Sequence, residues 1–188
     1  MTVRIGLLRA VNVGGIQLRM EALRTLLVRM GFRDVQTLLQ SGNFVVRGPP
    51  GPEDGLERRV ESRIAADLHV STEVFLRTPE EWAKVVSGNP FRREAKEMPH
   101  HLVLLPLKEA PSKERWEGLR ASIPGRERVE GSGRYAYVVY PDGIGQSKFT
   151  TAWIEKRLGT RGTARNWNTV TKLAALATAA EDSDSAVP

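Results

Sequence analysis

The chain has 188 residues, 40% of them hydrophobic and 27% charged. That is enough apolar content to fill a core, and too regularly patterned for a disordered polymer. No apolar run reaches the length of a membrane span, and the absence of cysteine excludes disulfides, thiolate catalysis and cysteine-ligated zinc or iron–sulfur centres. The formal charge of +6 is carried mostly by arginine, whose planar fork suits phosphate and carboxylate.

The opening "MTVRIGLLRAVNVGG" lacks a small-residue cleavage site and reads as a first strand and its turn, not as a signal peptide. Leu23, Leu26, Leu27 and Met30 recur at helical spacing until Gly31 ends the helix. "DVQTLLQ" and "NFVVR" are β-rich runs joined across Ser41-Gly42, a hairpin signal. After the loop "RGPPGPEDG", Leu56, Val60, Ile64 and Leu68 predict a second helix, and residues 71–77 a fourth strand. The order β-α-β-β-α-β defines a ferredoxin-like unit.

The remainder nearly repeats it. "TPEEWAKVVSG" opens a helix with proline and two acids, and "NPFRREAKEMP" is a loop before the strand "HHLVLLPL". The helix "PSKERWEGLRAS", a hairpin from "ERVEG" to "RYAYVVY", the helix "TTAWIEKRL" and a closing helix follow. A final helix stands where a fourth strand is due. The expected architecture is therefore α+β: two linked ferredoxin-like (βαββαβ-type) subdomains, residues 1–78 and 79–180, with a C-terminal helix. The acidic residues 181–188 form a disordered tail. One continuous mixed sheet is the alternative.

The asparagines Asn12, Asn43, Asn89, Asn166 and Asn168 all fall at junctions, where local turn and cap roles compete with ligand contact. Gly14 and Gly15 can shape an anion-holding backbone nest, although the helical pattern resumes only near Met20. Ser147-Lys148 and Arg165 precede helices without first-turn acids, and each cation there opposes the helix dipole at a cost of roughly 0.3–1 kcal/mol. An anion held between the two entrances would reverse that cost. The alternative is that both cations swing into solvent. Trp167 reads as a core anchor or a stacking platform. His100 and His101 are adjacent in a strand and point to opposite faces, so a shared metal is disfavoured. No nucleophile with a base stands out.

Three ordered stretches, "LLRAVNVGG" with Met20, Leu23 and Arg24 downstream, "TLLQSGNFVV" and "TARNWNTVTKL", resemble the bacterial DUF1697 family of unknown function, from about Arg4 to Leu176. The resemblance implies two linked α+β, ferredoxin-like subdomains and supplies no reaction. Family members usually have glycine where this chain has Ala10, and often an aromatic where it has Leu38, so a stacking role at the latter position is lost. Carried over as candidates for one polar site between the subdomains are Arg9, Asn12, Gly14, Gly15, Ser41, Gly42, Asn43, Ser147, Lys148, Arg165, Asn166, Trp167, Asn168 and Thr169.

The leading expectation is a cytoplasmic binding module for a phosphate-bearing small molecule or single-stranded nucleic acid, with no membrane partner and no metal. Phe44 is the one aromatic on the central strands, which argues against a standard RNA-recognition surface. A small enzyme acting on a phosphorylated or carboxylated metabolite, with Asp142 as base, is the second reading. The third makes the Arg165–Thr169 segment a structural clasp. Cofactor and oligomeric state stay open.

Overall fold

Strand β1 (Thr2–Leu8) runs into helix α1 (Met20–Arg29), the hairpin β2 (Arg33–Leu38) and β3 (Asn43–Gly48), helix α2 (Glu53–Leu68) and strand β4 (Val74–Arg77). These elements belong to a computed structural model that describes residues 1–15, 17–50 and 53–185. Gly51 and Pro52 of the expected loop, and residues 186–188 of the expected tail, lie outside the described residues. The four strands form one antiparallel sheet in the order β2-β3-β1-β4. Alternation along the strands sends Leu8, Phe44, Val46, Val74 and Leu76 into a core shared with Leu23, Leu27, Val60 and Ile64 of the two helices. Gly6 is required there: a β-carbon would lie 2.0 Å from the Phe44 ring.

The second half begins with helix α3 (Pro79–Ser87) and a six-residue helix α4 (Arg92–Glu97) inside the stretch expected to be loop. Strand β5 (Leu102–Pro106), helix α5 (Lys113–Ala121), the hairpin β6 (Arg128–Ser132) and β7 (Tyr135–Val139), and helix α6 (Thr151–Leu158) follow. Strand β8 (Arg165–Asn166) then leads directly into helix α7 (Trp167–Ser185). The second sheet is also antiparallel, in the order β6-β7-β5-β8. Its helix-covered face buries Val103, Leu105, Ala136 and Val138 with Trp116, Leu119, Ile154 and Leu158.

The fold is thus mixed α+β, with two separate four-stranded antiparallel sheets and a C-terminal helix, so the single-sheet alternative is excluded. The fourth strand of the second half exists, but it is two residues long and too short to show a periodicity. The acidic segment is helical through Ser185, and this stretch of the helix is tied to the first sheet. Arg47 of β3, buried among apolar strands, donates to Ala180 O and, at 3.3 Å, to Ser183 Oγ.

The chain divides into Met1–Lys84 with Lys172 onward, and Val85–Thr171. The last part of α7 therefore belongs to the first unit, which differs from the expected boundaries at residues 78 and 180. In that unit Ala174, Ala177 and Thr178 line a cavity of about 230 Å³ with Ile5 and Trp82, on the sheet face opposite α1 and α2.

Candidate functional site

In the first unit the chain between β1 and α1 is held from three sides. The Leu8 N–H donates to Gly42 O at 2.8 Å, the Arg9 N–H donates to Glu73 O at 2.9 Å, and the Thr72 hydroxyl donates to Arg9 O at 2.7 Å. Arg9 also faces Glu73 at 3.6 Å. The backbone then turns left-handed repeatedly, at Ala10 (φ 55°), Asn12 (φ 56°), Gly14 (φ 59°) and Gly15 (φ 89°). Asn12 stakes this path. Its Nδ2 donates to Leu18 O and Gln40 O, and its Oδ1 accepts from the Leu18 N–H at 2.7 Å. Local turn-making and a long-range tie are thus met by one side chain.

The β2–β3 turn packs alongside. A β-carbon on Gly42 (φ 74°) would lie 2.7 Å from Leu8 and Val11, and the fully buried Asn43 donates to Leu38 O and Ser41 Oγ. Arg9, Asn12, Gly14, Gly15, Ser41, Gly42 and Asn43 are therefore neighbours in space. Their roles differ, because Gly42 and Asn43 are consumed in packing and turn geometry, whereas Asn12, Gly14 and Gly15 line an open cleft of about 430 Å³.

Gln17, Arg19 and Gln40 complete that cleft, and the sequence reading passed them over. The available signal was Arg19 as the residue before α1, where a small capping side chain is usual. It occupies the N-cap position with no side-chain cap bond. Among the described residues, the N–H groups of Val13, Gly14 and Gly15 meet no acceptor and Arg19 meets no carboxylate. The cleft can thus offer backbone donors, two primary amides and one cation to an anion.

The second unit uses its motif residues internally. Arg165 is 7% exposed and donates to Thr163 Oγ1 at 2.8 Å and Ala164 O at 2.7 Å. Burial lowers its guanidinium pKa to about 10. Asn166 Oδ1 caps α7 by accepting from the Thr169 N–H at 3.0 Å and its hydroxyl at 3.1 Å. The buried Trp167 ring lies 6.4 Å from that of Tyr137. Tyr137 donates to Val85 O at 2.9 Å, and burial pushes its phenol up to about 12. Asn168 is exposed.

Ser147 donates to Glu127 and accepts from the Phe149 N–H, Lys148 is exposed, and Thr150 caps α6. The two cations thus differ, Lys148 being exposed and Arg165 buried with its guanidinium turned to Thr163 and Ala164. Asp142 is exposed and ion-paired with Arg126. His101 Nδ1 lies 3.1 Å from Pro141 O and edge-on to His100. Among the described residues no three histidine, aspartate or glutamate side chains gather as a metal site, and no helix is long and apolar enough to cross a membrane. Phe44, the one aromatic expected on the central strands, is buried over Gly6.

The conserved bacterial protein SP0830 from Streptococcus pneumoniae has a similar structure, with a TM-score of 0.71 and 17% sequence identity over 94% of this chain and 98% of that one. At this identity the likeness shows the fold alone. No curated protein matches the chain. Residues 1–137 match the family DUF1697, described as a protein of unknown function. That span takes in both the glycine loop and the Ser41–Asn43 turn, and the chain belongs to this family.

Proposed function

We propose that the protein is a binding module whose ligand presents a phosphate to the loop Val13–Gly15 and to Arg19. The observation carrying this reading is the set of loop N–H groups without acceptors among the described residues, standing beside an exposed arginine without a carboxylate. A change of backbone hand turns neighbouring amides toward one point, which suits an anion, and such a change falls between Val13 and the left-handed Gly14; strained backbone concentrates at working sites. Gln17 and Gln40 supply amides for a base or sugar, so a nucleotide or single-stranded nucleic acid fits the chemistry. A cytoplasmic bacterial setting agrees with the cysteine-free composition.

The Arg165–Thr169 segment is better read as the clasp. Its arginine is spent on a neighbouring hydroxyl and carbonyl, and its asparagine on the helix cap. We also read each unit as a ferredoxin-like variant, supported by the strand order second-third-first-fourth in both sheets.

Thermal melting in the presence of inorganic phosphate and mononucleotides tests the binding reading. A ligand at about a hundred times its Kd stabilises by about 2.7 kcal/mol, a rise of several degrees for a chain of this size. Arg19→Ala is expected to abolish the rise. Arg165→Ala is expected to lower the melting temperature while keeping the ligand response. No rise with any ligand, or a rise that survives Arg19→Ala, rejects the site.

A further inference from the structure

Helix α6 carries the most exposed tryptophan of the chain. Trp153 is 37% exposed, whereas Trp82, Trp116 and Trp167 are 0%, 7% and 5% exposed. Lys156 and Arg157 follow at helical spacings of three and four, which places all three on one face. They line a shallow hollow of about 560 Å³. The Arg157 guanidinium lies 5.5 Å from the Trp153 ring centre, and Lys156 and Arg157 meet no carboxylate among the described residues.

The one carboxylate of the helix, Glu155, is turned inward and accepts from the Gly162 N–H at 2.8 Å. A core position would have hidden the indole, and a purely solvating helix face would alternate charges. This face does neither.

We propose that this face of α6 docks single-stranded nucleic acid, with the Trp153 ring as a base-stacking platform and Lys156 and Arg157 as phosphate contacts. Charge complementarity selects the occupant. Two cations without carboxylates among the described residues share the face with one flat ring, the pairing that single-stranded nucleic acid offers in reverse as phosphates alternating with flat bases. The glycine-loop reading is independent of this one, since the two sites share no residue.

The test is fluorescence anisotropy of labelled oligo-dT and oligo-U on the full chain at about 50 mM and about 200 mM salt, read together with intrinsic tryptophan quenching. Because the other three tryptophans are buried, quenching reports Trp153. Binding with quenching at the lower salt is expected. Trp153→Ala should weaken it by about tenfold or more, and Trp153→Phe should retain most of the affinity. Lys156→Glu with Arg157→Glu should abolish binding. Replacing both cations by alanine instead should flatten the salt dependence by about 1.4 in log–log slope. These positions are exposed, so an unchanged circular dichroism melt is expected for each variant. Three results overturn the proposal: no binding at the lower salt, affinity unchanged in the α6 variants, or equal quenching by a polyglutamate peptide, which would make the face a protein contact. Loss of binding through Arg19→Ala alone would assign the nucleic acid to the glycine loop instead.

Discussion

Ala10 adopts a left-handed conformation (φ 55°), which costs an L-residue about 1–2 kcal/mol relative to glycine. This chain tolerates the strain because Arg9 and Asn12 on either side are tied down. Ala10→Gly is expected to raise stability by about 0.5–1 kcal/mol, after the entropy cost of the added freedom is subtracted. Chemical denaturation of the two proteins measures it, and a lower midpoint for the glycine variant would show that the loop is not strained. At the same scale, the junction asparagines were legible as turn and cap formers. The sequence did not say that Asn12 also reaches Gln40, 28 positions away, because such a bond depends on where the hairpin lands.

Edge strands leave backbone donors without partners, and both sheets solve this alike. On β4 the N–H groups of Val74 and Leu76 donate to Glu61 and Glu57 of α2, each at 2.7 Å. A strand period of two is matched to a helix spacing of four, so two successive carboxylates serve two outward donors. In the second unit Glu155 of α6 does the same for the Gly162 N–H just before β8. Glu57→Ala leaves the buried Leu76 N–H without its acceptor and takes from the buried Arg77 the carboxylate that faces it at 3.5 Å. A loss of about 2–4 kcal/mol is expected. Hydrogen exchange should show the Leu76 amide losing its protection first, and an unchanged Leu76 rate would remove Glu57 from this role. Sequence periodicity marked Val60 and Ile64 as core, but it was blind to the carboxylates one step around the helix, since their partners are backbone atoms of another element.

Both units use one element order and one strand order, and α7 begins in the second unit and ends in the first. A chain cut after Thr171 therefore loses Ala174 and Ala177 from beside Ile5 and Trp82, and leaves buried Arg47 without the Ala180 carbonyl. The expected result is selective loss of amide protection in β1 and β3 with the second sheet still protected, read by hydrogen exchange. Uniform protection across both sheets would show that α7 adds nothing to the first.

By itself the sequence determined what periodicity and local chemistry can carry: four strands and two helices in the first unit, the Ser41-Gly42 hairpin, and the glycine loop as a place to look. Strand β8, the helical course of the acidic segment and the burial of Arg165 were decided by tertiary structure alone. A two-residue strand has no repeat to detect, and the acidic turn is held by an arginine more than a hundred positions away. Which face of a sheet a side chain occupies is likewise fixed only when register is set by pairing.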